Sequence, residues 1–115
     1  MSDYLSLKKN ADFRRLYRRG RTYVTPCAVA YVLPNRIKAH RLGITAGKKV
    51  GGAVSRNRAK RRLRAVFREY LSEADLKGRT FDFVIVARAK TVGCDFGKLK
   101  KDIYRALNES IKQIK

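Results

Sequence analysis

Residues 48–68 concentrate cationic side chains that could bind a polyanion. The stretch holds nine Lys or Arg residues and no Asp or Glu. Solvated helices usually alternate charge signs, because opposite charges four residues apart add a few tenths of a kcal/mol and like charges cost about as much. A run of like charges on a helix therefore favours a polyanionic partner over a merely solvated face. The candidate binding residues are Lys48, Lys49, Arg56, Asn57, Arg58, Lys60, Arg61, Arg62, Arg64 and Arg68.

The pattern of apolar residues in this stretch predicts an amphipathic helix over residues 54–71. Turned by 100° per residue, one stripe faces the core and consists of Ala59, Leu63, Val66, Phe67 and Tyr70. The opposite face carries Asn57, Arg61, Arg64 and Arg68. Arg56 and Lys60 flank that face on one side, and Arg58 and Arg62 flank it on the other.

Two further features bear on a nucleic-acid ligand. Gly51 and Gly52, beside Lys48 and Lys49, allow close backbone approach at a helix start, where free N–H groups attract phosphate. A Gly-Gly pair is also compatible with an ordinary turn. Three aromatic residues could stack on bases of a single strand, although their pattern alone favours core residues. They are Phe13, Tyr17 and Tyr31.

Composition supports a folded, strongly basic protein. The 115 residues are 44% hydrophobic, and 29 Lys and Arg against nine Asp and Glu give a formal net charge of +20. We expect one domain over residues 1–115. Such an excess of charge favours RNA, DNA, an acidic membrane surface or an acidic protein as partner. No apolar run approaches the roughly 20 residues that span a bilayer, and the N-terminus lacks the pattern of a secretory signal, so we expect a cytoplasmic protein.

The remaining patterns predict a compact α+β sandwich with the basic helix carried between strands. A first helix is predicted over Ala11–Arg19, with Asn10 as its N-cap and Gly20 ending it in a left-handed conformation. Strands are predicted over Cys27–Leu33, Arg41–Lys48 and the central Phe81–Arg88, a turn at Pro34-Asn35, and a last helix over Phe96–Ile114. Cys27 and Cys94 lie far apart in sequence and outside any CxxC pair, so we expect free thiols.

The acidic residues do not form a catalytic pattern. Phosphodiester hydrolysis by a protein normally needs clustered carboxylates that hold two metals, or a paired base and acid. The nine acids are scattered, with no DxD or ExD motif near the basic face. His40, the only histidine, is expected in a solvent-exposed or turn position. We therefore expect no catalytic residue and no metal ligand set in this chain.

The long basic stretch resembles the protein subunit of bacterial ribonuclease P. The similarity runs from Arg41 to Arg64, and its core is Arg56-Asn57-Arg58 followed by Lys60-Arg61. It extends to the segment from Leu7 to Phe13 and to Asp82–Arg88, so it covers nearly the whole chain in the same order. Two positions differ: the family often has Ser at Gly47 and Asn at Gly52, and losing the Asn removes a cap or polar contact before the helix.

This resemblance implies a fold, partners and roles. The fold would be an α-β sandwich, with a left-handed crossover between parallel strands through the basic helix. The protein would assist a catalytic RNA in removing the 5′ leader of precursor tRNA, with Mg²⁺ held mainly by the RNA and with neither membrane nor DNA as partner. The motif helix would face the catalytic RNA. A cleft between the first helix and the sheet would hold the leader, lined by Phe13, Tyr17 and Tyr31.

Two other functions remain open from the residues themselves. The chain could be a structural RNA-binding protein of the ribosomal type, or a nuclease that acts without RNA. Stimulation of precursor tRNA cleavage by a catalytic RNA at low magnesium would distinguish the first, and cleavage by the chain alone would establish the second.

Overall fold

Two apolar segments form the centre of the fold, in a computed structural model that describes residues 4–114. Both are β-strands, and they pair antiparallel along their whole length, from Ala28 opposite Ala87 to Pro34 opposite Phe81. The elements follow in the order β1 (Leu5–Ser6), α1 (Asn10–Arg19), β2 (Arg21–Val24), β3 (Ala28–Pro34), β4 (Arg41–Thr45), a 3₁₀ turn (Lys48–Val50), α2 (Ala53–Glu73), β5 (Phe81–Ala87), α3 (Lys90–Gly93) and α4 (Phe96–Lys112).

These strands form one five-stranded sheet in the order β1-β4-β5-β3-β2. β4 and β5 are parallel neighbours, and α2 is carried in the connection between them. The predicted α+β sandwich with a basic helix between two strands is therefore confirmed. The left-handed sense of this crossover stays a prediction.

Helices cover the two faces of the sheet unequally. On one face α2 and α4 pack over the main core, in which Phe67, Phe83, Leu99 and Ile103 are almost completely buried. On the other face α1 packs alone, with Leu16 buried beside Leu7 and Val84. β5 is central and buried on both faces, as its continuous apolar sequence predicts. The second face is only partly covered, so Tyr31 and Leu33 of β3 stay partly exposed beside α1.

The predicted N-cap of α1 is wrong, and its predicted C-terminal residue Gly20 ends the helix in a different conformation from the expected one. The residue before the helix is Lys9, with extended backbone and no side-chain cap, and Asn10 is the first helical residue. Gly20 ends the helix in an extended conformation, with φ −68° and ψ 153°, instead of a left-handed one. Glycine suits this position for a different reason, since a Cβ there would lie 2.5 Å from the Leu16 carbonyl oxygen.

Short elements account for the other differences. The strand predicted to reach Lys48 ends at Thr45, because the chain turns into the 3₁₀ segment. β1 has two residues and β2 has four, and both lie at sheet edges, where partial exposure removes the alternation that marks a strand. The four-residue helix α3 also gave no periodic signal.

Candidate nucleic-acid interface

The cations of α2 form a solvent-facing row. The side of the helix that meets the core is the predicted one, with Ala59, Leu63, Val66, Phe67 and Tyr70 buried together with Leu71. Along the opposite side Asn57, Arg58, Arg61, Arg64 and Arg68 are exposed, whereas the flanking Arg56, Lys60 and Arg62 are half-buried. We define the α2 cation row as Arg56, Arg58, Lys60, Arg61, Arg64 and Arg68.

The cations of this row have no acidic partners within residues 4–114, where every ion pair lies elsewhere. The acids of α2 stand at its far end and contact α4. Glu69 pairs with Lys100 at 3.4 Å, and Glu73 accepts a hydrogen bond from Tyr104 at 2.7 Å. The positive potential of the row is therefore left for an external anion.

Arg62 is an exception among the predicted binding residues. Its guanidinium donates hydrogen bonds to the carbonyl oxygens of Thr91 at 2.9 Å, Cys94 at 2.7 Å, and Val92. It also lies 5.7 Å from the centre of the Phe96 ring. Its five donors match the free carbonyls at the end of α3, so it joins α2 to the α3–α4 segment instead of completing the flank of the row.

The segment before α2 leaves its helix start uncapped. Gly51 has φ +129°, a conformation that L side chains rarely adopt, and Gly52 precedes the helix with no side-chain cap. A Cβ at Gly52 or Gly47 would meet no atom within 4 Å, so the Asn and Ser typical of the family would fit here. Lys48 and Lys49 are exposed in the preceding turn. Phosphate binding at this position stays a prediction.

The three predicted stacking residues meet in one aromatic cleft between α1 and β3. The rings of Tyr17 and Tyr31 contact edge-to-face with centroids 5.0 Å apart, and Phe13 lies 6.5 Å from Tyr17. Tyr17 is 42% exposed. Phe13 also fills the space over Gly43, where a Cβ would lie 2.5 Å from its ring. Tyr17 is thus the ring most available to a base, and Phe13 supports the packing.

A basic pocket lies at the end of the sheet near Ala87. It has a volume of about 740 Å³, with Lys49, Arg88 and Lys90 at its rim and an apolar wall that includes Val24. Arg88 is oriented by a hydrogen bond of 2.9 Å to the Thr25 carbonyl oxygen. Sequence reasoning did not select Arg88 and Lys90 for a site, although their place directly after the central strand was the available signal.

A buried ionic cluster fixes α1 on the sheet. Asp82 is completely buried and accepts hydrogen bonds from Arg41 at 2.6 and 2.7 Å, from Asn35 at 2.7 Å and from Arg15 at 3.1 Å. Asp12 of α1 pairs with Arg15 at 3.2 Å and with Arg41 at 3.7 Å. We call these five residues the Asp82 cluster. Because it joins α1 to β4 and β5, it sets the position of the helix that carries two of the cleft aromatics.

The cluster also governs the ionisation of Asp82. Burial raises the pKa of this carboxyl, but hydrogen bonds from Arg41 and Asn35 lower it more, so the net pKa lies below its ordinary value. The hydrogen bond to Asp82 raises the pKa of Arg41. Both shifts favour the charged forms, so the pair is ionised at neutral pH.

The histidine and the two cysteines, which could take part in catalysis or metal binding, are held in packing and hydrogen-bonding contacts within the fold. His40 is half-buried, stacks on Phe81, and its Nδ1 accepts a hydrogen bond from the Phe81 N–H at 3.2 Å; burial lowers its pKa. His40 lies in the connection between β3 and β4, directly after the bend at residues 36–39, so it occupies the expected turn position and is not solvent-exposed. Cys27 and Cys94 are free thiols, as predicted, and burial raises the pKa of Cys27 to about 12.

Residues 4–114 contain no group of three or more His, Cys, Asp or Glu side chains placed to hold a metal ion. None of the helices within that range is long and apolar enough to cross a membrane.

Together, the sheet, the cation row and the aromatic cleft define a small α+β protein with a surface suited to RNA. The sequence profile of the Ribonuclease P family matches residues 1–110. A ribonuclease P protein component from Natranaerobius thermophilus is 38% identical over 110 residues, which cover 96% of this chain and 93% of the relative. The chain belongs to the ribonuclease P family, as a protein subunit of that tRNA-processing ribonucleoprotein.

Solved structures agree with this assignment. The fold is similar to the RNase P protein of Staphylococcus aureus, with a TM-score of 0.78 and 30% identity over 93% of this chain and 95% of that one. It is also similar to the RNase P protein of Thermotoga maritima, with a TM-score of 0.75 and 27% identity over 96% of this chain and 97% of that one.

Proposed function

We propose that the chain binds the catalytic RNA of ribonuclease P through the α2 cation row and holds the 5′ leader of precursor tRNA in the aromatic cleft. The RNA then cleaves the phosphodiester bond, and the protein supplies no reacting group. The observation that carries this proposal is the row of cations on α2, which has no acidic partner within residues 4–114. We expect the assembly to work in the cytoplasm.

The first role of the protein is charge neutralisation. Two RNA surfaces repel each other through their phosphates, and cations placed between them lower that repulsion. Each Lys or Arg bound to a phosphate also releases condensed counterions, which gives binding its strong dependence on salt. The like charges along α2 disfavour the free protein and become favourable once RNA is bound.

The second role is capture of the single-stranded leader. Base stacking on an aromatic ring contributes about 1–3 kcal/mol per base and tolerates any sequence. Tyr17 offers the most accessible ring, and Tyr31 contacts it edge-to-face. Leader phosphates would meet Lys49, Arg88 and Lys90 at the pocket beyond the cleft.

Magnesium would be bound by the RNA and not by the protein. Mg²⁺ prefers hard oxygen ligands and is commonly held by phosphates and water. The acids within residues 4–114 do not form a ligand set, and Asp82 is already saturated by Arg41, Asn35 and Arg15. RNA phosphates would therefore hold the ions, and the protein would lower the magnesium concentration that the assembled RNA needs.

The decisive experiment measures cleavage of precursor tRNA by the catalytic RNA at low magnesium, with and without this chain. We expect strong stimulation by the wild-type protein and much weaker stimulation by R61A/R64A. Absence of stimulation would favour a structural RNA-binding protein of the ribosomal type. Cleavage by the purified chain without RNA would show that the protein itself is the nuclease.

A second comparison isolates the cleft. Tyr17→Ala should weaken binding of leader-bearing tRNA to the assembled complex by roughly tenfold or more, given the value of one stacked base, while mature tRNA binds as before. Tyr17→Phe is the matched control, because it keeps the ring and removes only the hydroxyl. Equal losses for both tRNAs would indicate damage to the fold.

A further inference from the structure

A second arginine surface lies on α1, outside both sites described above. A shallow groove of about 330 Å³ is lined by Ala11 and four arginines. We call it the α1 arginine face, and it consists of Arg14, Arg15, Arg18 and Arg19. Arg14, Arg18 and Arg19 are exposed and take part in no ion pair within residues 4–114, whereas Arg15 belongs to the Asp82 cluster.

The geometry of the helix turns most of this face away from the aromatic cleft. At 100° per residue, Arg14 and Arg18 lie opposite the buried Leu16, while Phe13 and Tyr17 lie together on one flank. Arg14 is a neighbour of Tyr17, three residues along the helix, whereas Arg15, Arg18 and Arg19 point away from a nucleotide stacked on Tyr17. No aromatic side chain lines the groove, so it offers contacts to phosphates and none to base faces.

Helix stability alone does not explain these charges. Arg18 and Arg19 stand in the last turn, where a cation gains roughly 0.3–1 kcal/mol from the helix dipole. Arg14 lies before that turn. Arg14 and Arg18, like Arg15 and Arg19, are like charges four residues apart, an arrangement that costs a few tenths of a kcal/mol per pair. The face as a whole is more cationic than the helix requires.

We infer that the α1 arginine face binds backbone phosphates of RNA as an interface separate from the α2 cation row. Guanidinium groups present planar forks of donors that match phosphate oxygens and are the usual choice for such contacts. α1 and α2 pack on opposite faces of the sheet, so the two surfaces would contact different stretches of RNA. The inference deepens the proposed function and rests on it.

The test compares R14A/R18A with wild type in salt titrations of two binding reactions. One uses the catalytic RNA alone, and the other uses precursor tRNA binding to the assembled complex. We expect the dependence of log K on log salt to lose about 1.4–1.8 in slope in one reaction, as two phosphate contacts would give. The matched control is K98A/K101A, which removes two exposed helical cations from α4.

A loss of slope with the catalytic RNA would assign the bound phosphates to the RNA subunit, and a loss confined to precursor tRNA would assign them to the substrate. Wild-type slopes in both reactions, or an equal loss in K98A/K101A, would overturn the inference. Binding to anionic phospholipid vesicles that is lost in R14A/R18A while both slopes persist would overturn it in favour of a membrane.

Two controls distinguish loss of the α1 interface from unfolding and from failure of the proposed function. R14A/R18A should stay within about 1 kcal/mol of wild type in urea unfolding, because the lost attraction of Arg18 to the helix dipole is offset in part by removal of a repulsive pair. R61A/R64A should independently lower the dependence of log K on log salt for binding to the catalytic RNA. If that variant loses slope and R14A/R18A does not, only the α1 interface fails. If R61A/R64A has no effect either, the proposed function fails with it.

Discussion

The α2 cation row and the Asp82 cluster use the same residue type for opposite purposes. In the cluster, Arg41 and Arg15 surround a carboxylate with 1% of its side chain exposed, and their charges are compensated. In the row, Arg58, Arg61 and Arg64 are exposed and have no acidic partner in the part of the chain that the structure describes. The cluster fixes a helix on the sheet, whereas the charges of the row are left uncompensated and could bind an anion.

The contrast shows that charge count alone does not define an RNA surface. Arg62 is an example, because it lies within the basic helix and yet its guanidinium donates hydrogen bonds to backbone carbonyl oxygens. We expect pairing and burial to separate arginines with a structural role from those that the proposed function assigns to RNA binding. Substitutions in the first class should change stability, and those in the second should change the salt dependence of RNA binding.

Breaking the cluster should have the largest effect on folding. Asp82→Asn removes the charge and places an amide against the donors of Arg41, so we expect unfolding free energy to fall by about 3 kcal/mol. Urea denaturation followed by circular dichroism measures this loss. Asp75→Asn, at an exposed position, makes the same change in net charge and should stay within about 0.5 kcal/mol of wild type. Equal stability of the two variants would contradict a structural role for the cluster.

Arg62 tests the boundary between the two classes. Arg62→Ala leaves three carbonyl oxygens without their charged donor, and we expect a loss of about 2 kcal/mol in stability. The slope of RNA affinity against salt should stay unchanged, unlike that of R61A/R64A. A lower slope with unaltered stability would instead return Arg62 to the binding row.

As pH falls, protonation of His40 should lower the stability of the protein before protonation of Asp82 does. Burial lowers the pKa of folded His40, so the unfolded chain binds more protons, and stability falls as pH drops below the ordinary value of about 6.5. The lowered pKa of Asp82 stabilises the fold above about pH 4, and that contribution is lost on further acidification through its folded pKa. Urea titrations at pH 7.5 and 5.5 should differ for wild type and differ less for His40→Asn. An undiminished difference in the variant would assign the effect to another group.

The smallest expected effect is a gain at the start of α2. Gly52 has ordinary extended backbone and open space for a side chain, so Gly52→Asn should cap the helix and add about 0.5 kcal/mol. Thermal unfolding should shift upward by a few degrees. Gly51→Asn is the contrasting variant, since φ there is +129° and a Cβ would approach Ser55 at 3.0 Å. A gain in the second variant alone would refute the capping explanation.

Periodicity predicted the long elements well. The apolar spacing along α2, from Ala59 to Tyr70, follows one helix face, and burial in the folded chain follows the same residues. The alternation along β3 likewise separated Ala30 and Val32 from Tyr31. The Asn10 cap and the left-handed conformation of Gly20 were predicted wrongly, because both residues fit several local conformations and neighbouring elements decide among them.

The binding surface was predictable only in part. Cations at helical spacing identify an exposed row, but Arg62 and Arg61 are adjacent in sequence and differ only in what the fold brings near them. Nothing local indicates that α3 carbonyls meet Arg62 or that Arg88 and Lys90 share a pocket with Lys49.

By itself the sequence determined the large positive charge, the amphipathic basic helix and the apolar strand β5, because each depends on residue type and local spacing. Tertiary structure alone decided which arginines are neutralised. Asp82, Arg41, Asn35 and Arg15 come from four separate segments, and they meet only when β4 and β5 pair and α1 packs above them. The energy of an ion pair depends on a distance of a few ångströms in space, and the separation of two residues along the sequence does not predict that distance.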